Sequence, residues 1–139
     1  MKRSKTNILN NIKTEACLNI FKDTEINTVI LFGSILREDF AEYSDVDIAI
    51  LSEKDIPFAK MACIEEALQK KLNRNVDIIN LIDKNIELNI KVDIYDNGEI
   101  IYNNDNFNSY NMNYTDVERL FKDNETFRFF RERDVIFSE

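Results

Sequence analysis

Apolar and polar positions follow different periods in successive parts of the chain, and each change of period marks a predicted element. Apolar residues recur at roughly helical spacing over 5–22, whereas 27–32 is a short β-branched and aromatic run that ends at Gly33. Beyond Pro57, apolar residues again share one helical face as far as Leu72. The predicted order is a helix over 5–22, a strand over 27–32, a short helix or turn over 34–41, a strand over 45–51, a helix ending near residue 72 and a strand over 75–82.

The segment 86–95 fits two periods at once. Apolar residues stand at every second position from Ile86 to Ile94, which favours a strand, yet Ile86, Ile90 and Ile94 also fall at helical spacing. Because the alternation is strict, we predict a strand here. A hairpin turn at 96–98 would then lead into a partner strand at 99–102.

A last helix is predicted over about 114–134, because Thr115 and Glu118 have the spacing of a capping box at a helix start. Helices and strands thus alternate through most of the chain before this helix closes it. That order indicates one α/β or α+β domain over residues 1–139.

The composition narrows the classes of function. A chain of 139 residues that is 44% apolar has the size and composition of one folded domain. Its net charge of −8 argues against direct binding to nucleic acid, which requires a basic face. That charge fits better with a basic protein partner or with no macromolecular partner at all. The chain has no histidine, so any chemistry must rest on carboxylates, hydroxyls, amines or bound metal.

Hydrophobic segments give no indication of a membrane. No run approaches the ~18 apolar residues of a membrane span, and the basic N-terminus lacks the apolar region of a signal peptide. We therefore expect a cytoplasmic protein without a membrane partner.

The chemistry is concentrated around two neighbouring predicted strands. Gly33-Ser34 ends the first strand, and ten residues separate Ser34 from the Asp45-Val46-Asp47 sequence that opens the second. Side chains two apart on a strand project from one face, so Asp45 and Asp47 point the same way. Asp77 opens the next strand. The sequence therefore predicts three carboxylates on one surface of a sheet.

Three adjacent carboxylates repel one another, and partial burial increases that repulsion. Magnesium is the natural counter-charge, since it prefers oxygen ligands and is commonly shared between carboxylates and substrate phosphates. Gly33 would let the backbone approach a phosphate, and the Ser34 hydroxyl could add a hydrogen bond. Each piece alone fits an ordinary strand end or turn, whereas the joint pattern predicts a metal site at Asp45, Asp47 and Asp77.

This pattern resembles the minimal nucleotidyltransferases, which share the fold of DNA polymerase beta. The resemblance covers about 25–102 and implies an α+β domain with a small mixed sheet flanked by helices. It is most similar to the MntA-type antitoxins, which pair with HEPN-domain toxins. The resemblance implies two magnesium ions at Asp45 and Asp47, with Asp77 completing the catalytic site and Gly33 and Ser34 binding the triphosphate.

Arg37 lies where relatives often have an arginine after Gly-Ser, so the resemblance implies contact with the nucleotide. An ordinary surface position is an equal alternative for this residue. The chain also has Glu38 where relatives often have glycine, which is a departure from the family's loop.

The function implied by the resemblance is that of an antitoxin that transfers AMP from ATP to a tyrosine hydroxyl of its cognate HEPN toxin. Two alternatives stay open. One is an antitoxin with a vestigial site that neutralises its toxin by direct binding, and the other is an enzyme for a small substrate such as an aminoglycoside. The direct contact would use an apolar stripe of the last helix, for which core packing is the other interpretation: Leu120, Phe121, Phe127, Phe129 and Phe130.

Overall fold

The computed structural model describes residues 5–38, 40–41 and 44–137, with side chains described as far as residue 124. None of the helices in this part of the chain is both long and apolar enough to cross a membrane. The elements are α1 Lys5–Ile12, α2 Glu15–Lys22, β1 Ile26–Phe32, a 3-10 helix Gly33–Leu36, β2 Val46–Ser52, α3 Phe58–Leu72, β3 Val76–Asn80, α4 Leu88–Asn97, β4 Glu99–Asn103 and α5 Asn108–Phe137.

The helix predicted over 5–22 is divided in two near Thr14. The Thr14 hydroxyl accepts a hydrogen bond from the backbone N–H of Cys17, as expected of a threonine at a helix N-cap. The division lets α1 and α2 each turn a short apolar face toward the sheet. These faces bury Ile8 and Ile12 of α1 and Cys17 and Phe21 of α2.

The strands form one mixed sheet in the order β3-β2-β1-β4. β1 pairs antiparallel with both β2 and β4, whereas β2 pairs parallel with β3. β1 is buried along nearly its whole length, which explains why its sequence is a continuous apolar run instead of an alternating one. The mixed sheet with helices confirms the predicted α+β class.

Helices cover both faces of the sheet, and each face has its own core. α1, α2 and α3 pack on one face, while α4 and α5 pack on the other. The larger core, on the first face, is built mainly from isoleucine, leucine and valine. The second core contains Ile30, Ala49, Leu51, Leu81 and Ile94.

The predicted strand over 86–95 is wrong, because Leu88–Asn97 forms helix α4. Ile90 and Ile94 would lie on one face of a strand, but Ile94 is buried in the second core and Ile90 is 41% exposed. The alternation in the sequence therefore does not correspond to a buried and an exposed strand face. Gly98 follows the helix, and its N–H donates to the carbonyl of Ile94 (2.8 Å). β4 therefore pairs with β1 and does not form the predicted hairpin.

The predicted capping box is also wrong, since α5 begins at Asn108 and contains Thr115 in its interior. Thr115 Oγ1 donates to the carbonyl of Asn111 (3.0 Å), a bond that threonine often makes inside helices. Asp105 supports the true start, because its Oδ2 accepts the backbone N–H of Ser109 (3.0 Å).

Candidate active site

Asp47 and Asp77 lie opposite each other on neighbouring strands. The parallel β2–β3 pair places them in direct register, next to the pair Val46 and Val76. Ala49 belongs to the core beneath α4 and α5, so Asp47, two residues earlier, projects from that same face. Residues in register on parallel strands share a face, and the two carboxylates therefore stand on one surface.

Gly33 adjoins this pair from the other side. The antiparallel β1–β2 register sets Phe32 against Asp47, so the residue after Phe32 begins its turn beside that carboxylate. Gly33 has φ +78°, a left-handed conformation, and a β-carbon at this position would overlap Asp47 Oδ2. Both observations require glycine here.

The 3-10 helix continues along the edge of the carboxylate group. Ser34 is half-buried, and its carbonyl accepts the backbone N–H of Arg37 (2.9 Å), which closes the turn. The side chain of Arg37 is exposed, yet it lies close enough for its positive charge to lower the pKa of Asp47. Gly33, Ser34 and Arg37 thus line the side of the site that faces away from β3.

The carboxylates interact electrostatically. Partial burial, followed by the negative charges of Asp77 and Asp45, raises the pKa of Asp47, and the opposing effect of Arg37 is smaller. Asp45 is exposed and lies one residue before the start of β2. The ionised form of Asp47 is therefore destabilised in this site, and a bound cation would relieve that destabilisation.

The donor set suits magnesium, since all three candidate ligands are carboxylates. Within the part of the chain that the structure describes, no group of three or more acidic, cysteine or histidine side chains is already arranged to hold a metal ion. Charges interact over about 10 Å in solution, whereas magnesium needs oxygens at about 2.1 Å. Asp45 and Asp77 are exposed, so their carboxylates are accessible to a cation from solvent.

A family model confirms the resemblance deduced from these residues. The model, described as "Polymerase beta, Nucleotidyltransferase", matches residues 15–107. The chain belongs to this nucleotidyltransferase family. The matched part of the nucleotidyltransferase runs from α2 past β4 and includes all the predicted site residues.

The chain is also similar to individual proteins. A Methanocaldococcus jannaschii protein assigned as a protein adenylyltransferase is 30% identical over 79 residues, which is 55% of this nucleotidyltransferase and 79% of the relative. A chain from a crystal structure of a toxin–antitoxin with AMP-PNP has a TM-score of 0.69 at 17% identity, covering 91% of this chain and 98% of that one.

A second solved structure is of a tri-AMPylated Shewanella oneidensis HEPN toxin in complex with MNT antitoxin. Its matching chain has a TM-score of 0.64 at 17% identity, and the match covers 96% of the nucleotidyltransferase and 99% of that chain. At these identities the likeness to both solved structures shows a shared fold.

One residue near the site escaped the sequence analysis. Arg74, in the turn between α3 and β3, donates Nη1 hydrogen bonds to the carbonyls of Ala41 (3.1 Å) and Ser44 (2.8 Å). These partners lie 33 and 30 positions away, so no local pattern could indicate them. Only the pairing of β2 with β3 brings them together.

Proposed function

We propose that this nucleotidyltransferase is the antitoxin of a HEPN/MNT pair and a protein adenylyltransferase that transfers AMP from ATP to a tyrosine hydroxyl of its cognate HEPN toxin. The direct register of Asp47 with Asp77 beside Gly33 carries the proposal. Two comparisons support AMP as the transferred group and the toxin as the acceptor. One is the relative assigned as a protein adenylyltransferase, and the other is the AMPylated toxin of the similar structure. We infer a cytoplasmic reaction, where ATP is available.

The three carboxylates would hold two magnesium ions, with Asp47 between its neighbours Asp45 and Asp77. Bound magnesium would neutralise phosphate charge and make the attacking hydroxyl more acidic. The raised pKa of Asp47 supports this role, because burial and the charges of Asp77 and Asp45 disfavour its ionised form, which a cation would stabilise.

The turn after β1 would hold the triphosphate. Gly33 lets the backbone approach the phosphates, and the N–H groups and hydroxyl that follow it would donate hydrogen bonds to their oxygens. Arg37 would add a positive charge at the exposed side of the turn. Binding there would place the α-phosphate next to the carboxylates.

The transfer itself is one displacement at the α-phosphorus. The acceptor oxygen forms a bond to the α-phosphorus, the bond from that phosphorus to the bridging oxygen breaks, and pyrophosphate leaves. The proton of the acceptor hydroxyl would pass to a carboxylate oxygen of Asp77, which is exposed and therefore accessible to a second protein.

The test is incubation of the purified chain with α-labelled ATP, magnesium and its cognate HEPN toxin. Label should appear on a tyrosine of the partner, and Asp47→Asn should abolish the labelling while leaving the fold intact. Asp123→Asn, which changes an exposed aspartate of α5, is the matched control and should label like the wild type. Undiminished labelling by Asp47→Asn would refute the assignment.

Neutralisation by binding alone is the second candidate. It is favoured by the apolar side chains that α5 exposes, with Met112 at 64% and Leu120 at 52% exposure. The side chains of Phe127, Phe129 and Phe130 lie outside those that the structure describes. Mass spectrometry of the co-purified partner separates the two candidate functions. Adducts of one or more AMP groups indicate the enzyme, and a tight complex without adducts indicates neutralisation by binding alone.

A further inference from the structure

Two hydrogen bonds tie Ala41 to Ser44, the residue directly before Asp45. The backbone N–H of Ser44 donates to the carbonyl of Ala41 (3.1 Å), and the N–H of Ala41 donates to Ser44 Oγ (2.9 Å). Asp45 follows directly and precedes the first residue of β2. The direction of the Asp45 carboxylate therefore depends on how Ser44 is held.

Arg74 binds both Ala41 and Ser44 from a distant part of the chain. Its guanidinium donates to the carbonyls of Ala41 and Ser44 and lies over the ring of Phe40, with 4.7 Å between Cζ and the ring centroid. An arginine suits this position because its planar group can donate in two directions while it stacks on an aromatic ring.

The turn that contains Arg74 also fixes the other side of Asp45. α3 ends at Leu72, and its C-cap Asn73 is in the left-handed conformation at φ 53°, which redirects the chain toward β3. The carbonyl of Asn75, the next residue after Arg74, accepts the N–H of Val46 (2.9 Å). Asp45 is thus held between a carbonyl bonded to Arg74 and an N–H bonded to Asn75.

We propose that Arg74 is a positioning residue that fixes the peptide before Asp45 and thereby presents the Asp45 carboxylate to magnesium. The inference rests on the proposed function, since it gives Asp45 a role as a metal ligand. The same short turn leads into Asp77, so Arg74 ties the positions of two candidate ligands from different strands to each other.

The experiment compares the full-length wild type with Arg74→Ala, Arg74→Lys and the control Arg119→Ala. Arg119 is an exposed arginine on α5 that forms an ion pair with Asp116 (3.3 Å). Binding of Mn²⁺ alone, followed by electron paramagnetic resonance, is the first readout. Exchange of the Ser44 amide, followed by NMR, is the second and requires neither metal nor partner.

We expect Arg74→Ala to weaken Mn²⁺ binding about tenfold. This factor corresponds to the free energy of one or two hydrogen bonds from a charged group, which the variant lacks. Arg74→Lys should weaken Mn²⁺ binding about threefold, because an ammonium keeps the charge but not the planar group that lies over Phe40. Both variants should speed exchange at Ser44, and Arg119→Ala should change neither readout.

Unchanged Mn²⁺ affinity and Ser44 exchange in folded Arg74→Ala would overturn the inference, as would an equal loss in Arg119→Ala. If Arg74→Ala does not fold, Arg74→Lys decides: wild-type values in both readouts overturn the inference, and losses support it. The labelling experiment is independent of this one. If the wild type transfers no AMP but the Arg74 variants show faster Ser44 exchange, the proposed function is refuted and the structural role of Arg74 is supported.

Discussion

Gly33 lies against the carboxyl group of Asp47, so closely that a β-carbon at Gly33 would overlap Asp47 Oδ2. This contact joins the end of β1 to the candidate metal ligand of β2. Any side chain at position 33 must displace either the turn or the carboxylate. The spacing between the proposed triphosphate and metal sites is therefore set by one backbone position.

Gly33→Ala should lower AMP transfer at least about a hundredfold, because a displacement of about 1 Å in a catalytic group can cost that much. It should also lower the free energy of unfolding by about 1–3 kcal/mol, since alanine is strained at φ +78°. Labelling of the partner and urea unfolding measure the two effects.

Asn106→Ala is the control for backbone strain alone. Asn106 has φ 55° and lies in the exposed connection between β4 and α5. Its replacement should cost a similar free energy of unfolding but leave AMP transfer unchanged. Equal transfer by Gly33→Ala and Asn106→Ala would contradict the role given to the contact with Asp47.

Asp105 stabilises the start of α5 in a way that depends on pH. Burial alone would raise the pKa of Asp105, but hydrogen bonds from the side chain and backbone of Ser109 and from Asn103 outweigh it and lower the pKa. The stabilisation is therefore present above the pKa of unfolded aspartate, about 3.9, and is lost as the pH falls through the lower folded value.

Asp105→Ala should reduce the free energy of unfolding by about 1 kcal/mol at pH 7, the usual cost of losing a helix cap. The difference from wild type should shrink in urea unfolding at pH 3. Asp105→Asn keeps an oxygen that can cap the helix, so it should retain most of the stability at pH 7. A loss in Asp105→Ala that is the same at both pH values would contradict this account.

The sequence was sufficient for the family and the fold class but not for every element of the fold. The motif formed by Gly33-Ser34 and the aspartates at 45 and 47 is defined by the short spacing between its residues, so it can be recognised in a single sequence. The family match shows that this spacing indicated the right fold.

The errors arose where distant residues decide the structure. Ile90 and Ile94 fit a strand or a helix equally well, and α4 forms because β4 occupies the place beside β1 and leaves a sheet face to cover. Thr115 has the spacing of a helix cap, but Asp105 and its bonds to Ser109 start the helix earlier. The role of Arg74 likewise depends on a contact across the β2–β3 pair.

Tyr95 connects α4 to α5. Its hydroxyl donates to Asn113 Oδ1, and its ring makes edge contacts with Tyr110 (5.0 Å between centroids) and Tyr114 (5.3 Å). Burial, followed by the nearby Tyr110 and Asp116, raises the pKa of the Tyr95 hydroxyl. This residue should therefore be the structural link that holds the long helix against the second core.

Tyr95→Phe should lower the free energy of unfolding by about 1 kcal/mol, because it keeps the ring contacts and removes one hydrogen bond. Tyr114→Phe removes a hydroxyl from a more exposed ring of the same cluster and should cost less than about 0.5 kcal/mol. Urea unfolding at pH 7 compares the two variants. An equal loss of unfolding free energy in the two variants would show that the hydrogen bond to Asn113 does not stabilise the fold.

Asp47→Asn should make the metal-free protein more stable at pH 7, even though it removes activity. The raised pKa of Asp47 means that its ionised form is disfavoured in the folded state by burial, Asp77 and Asp45. Stability from this group is complete below the unfolded pKa of about 3.9 and is lost as the pH rises through the folded pKa. Thermal melts in EDTA should therefore show little difference between wild type and Asp47→Asn at pH 4, and a higher Tm for the variant at pH 7.

Magnesium should reverse that order at pH 7, because it binds the ionised carboxylates of the folded wild type and so stabilises the folded state. The same addition should raise the Tm of Asp47→Asn less, since the variant lacks the central ligand. Asp123→Asn should follow the wild type in both media. If Asp47→Asn were instead the less stable protein in EDTA at pH 7, the carboxylate would be stabilising without a cation, and repulsion within the group could not be the reason for metal binding.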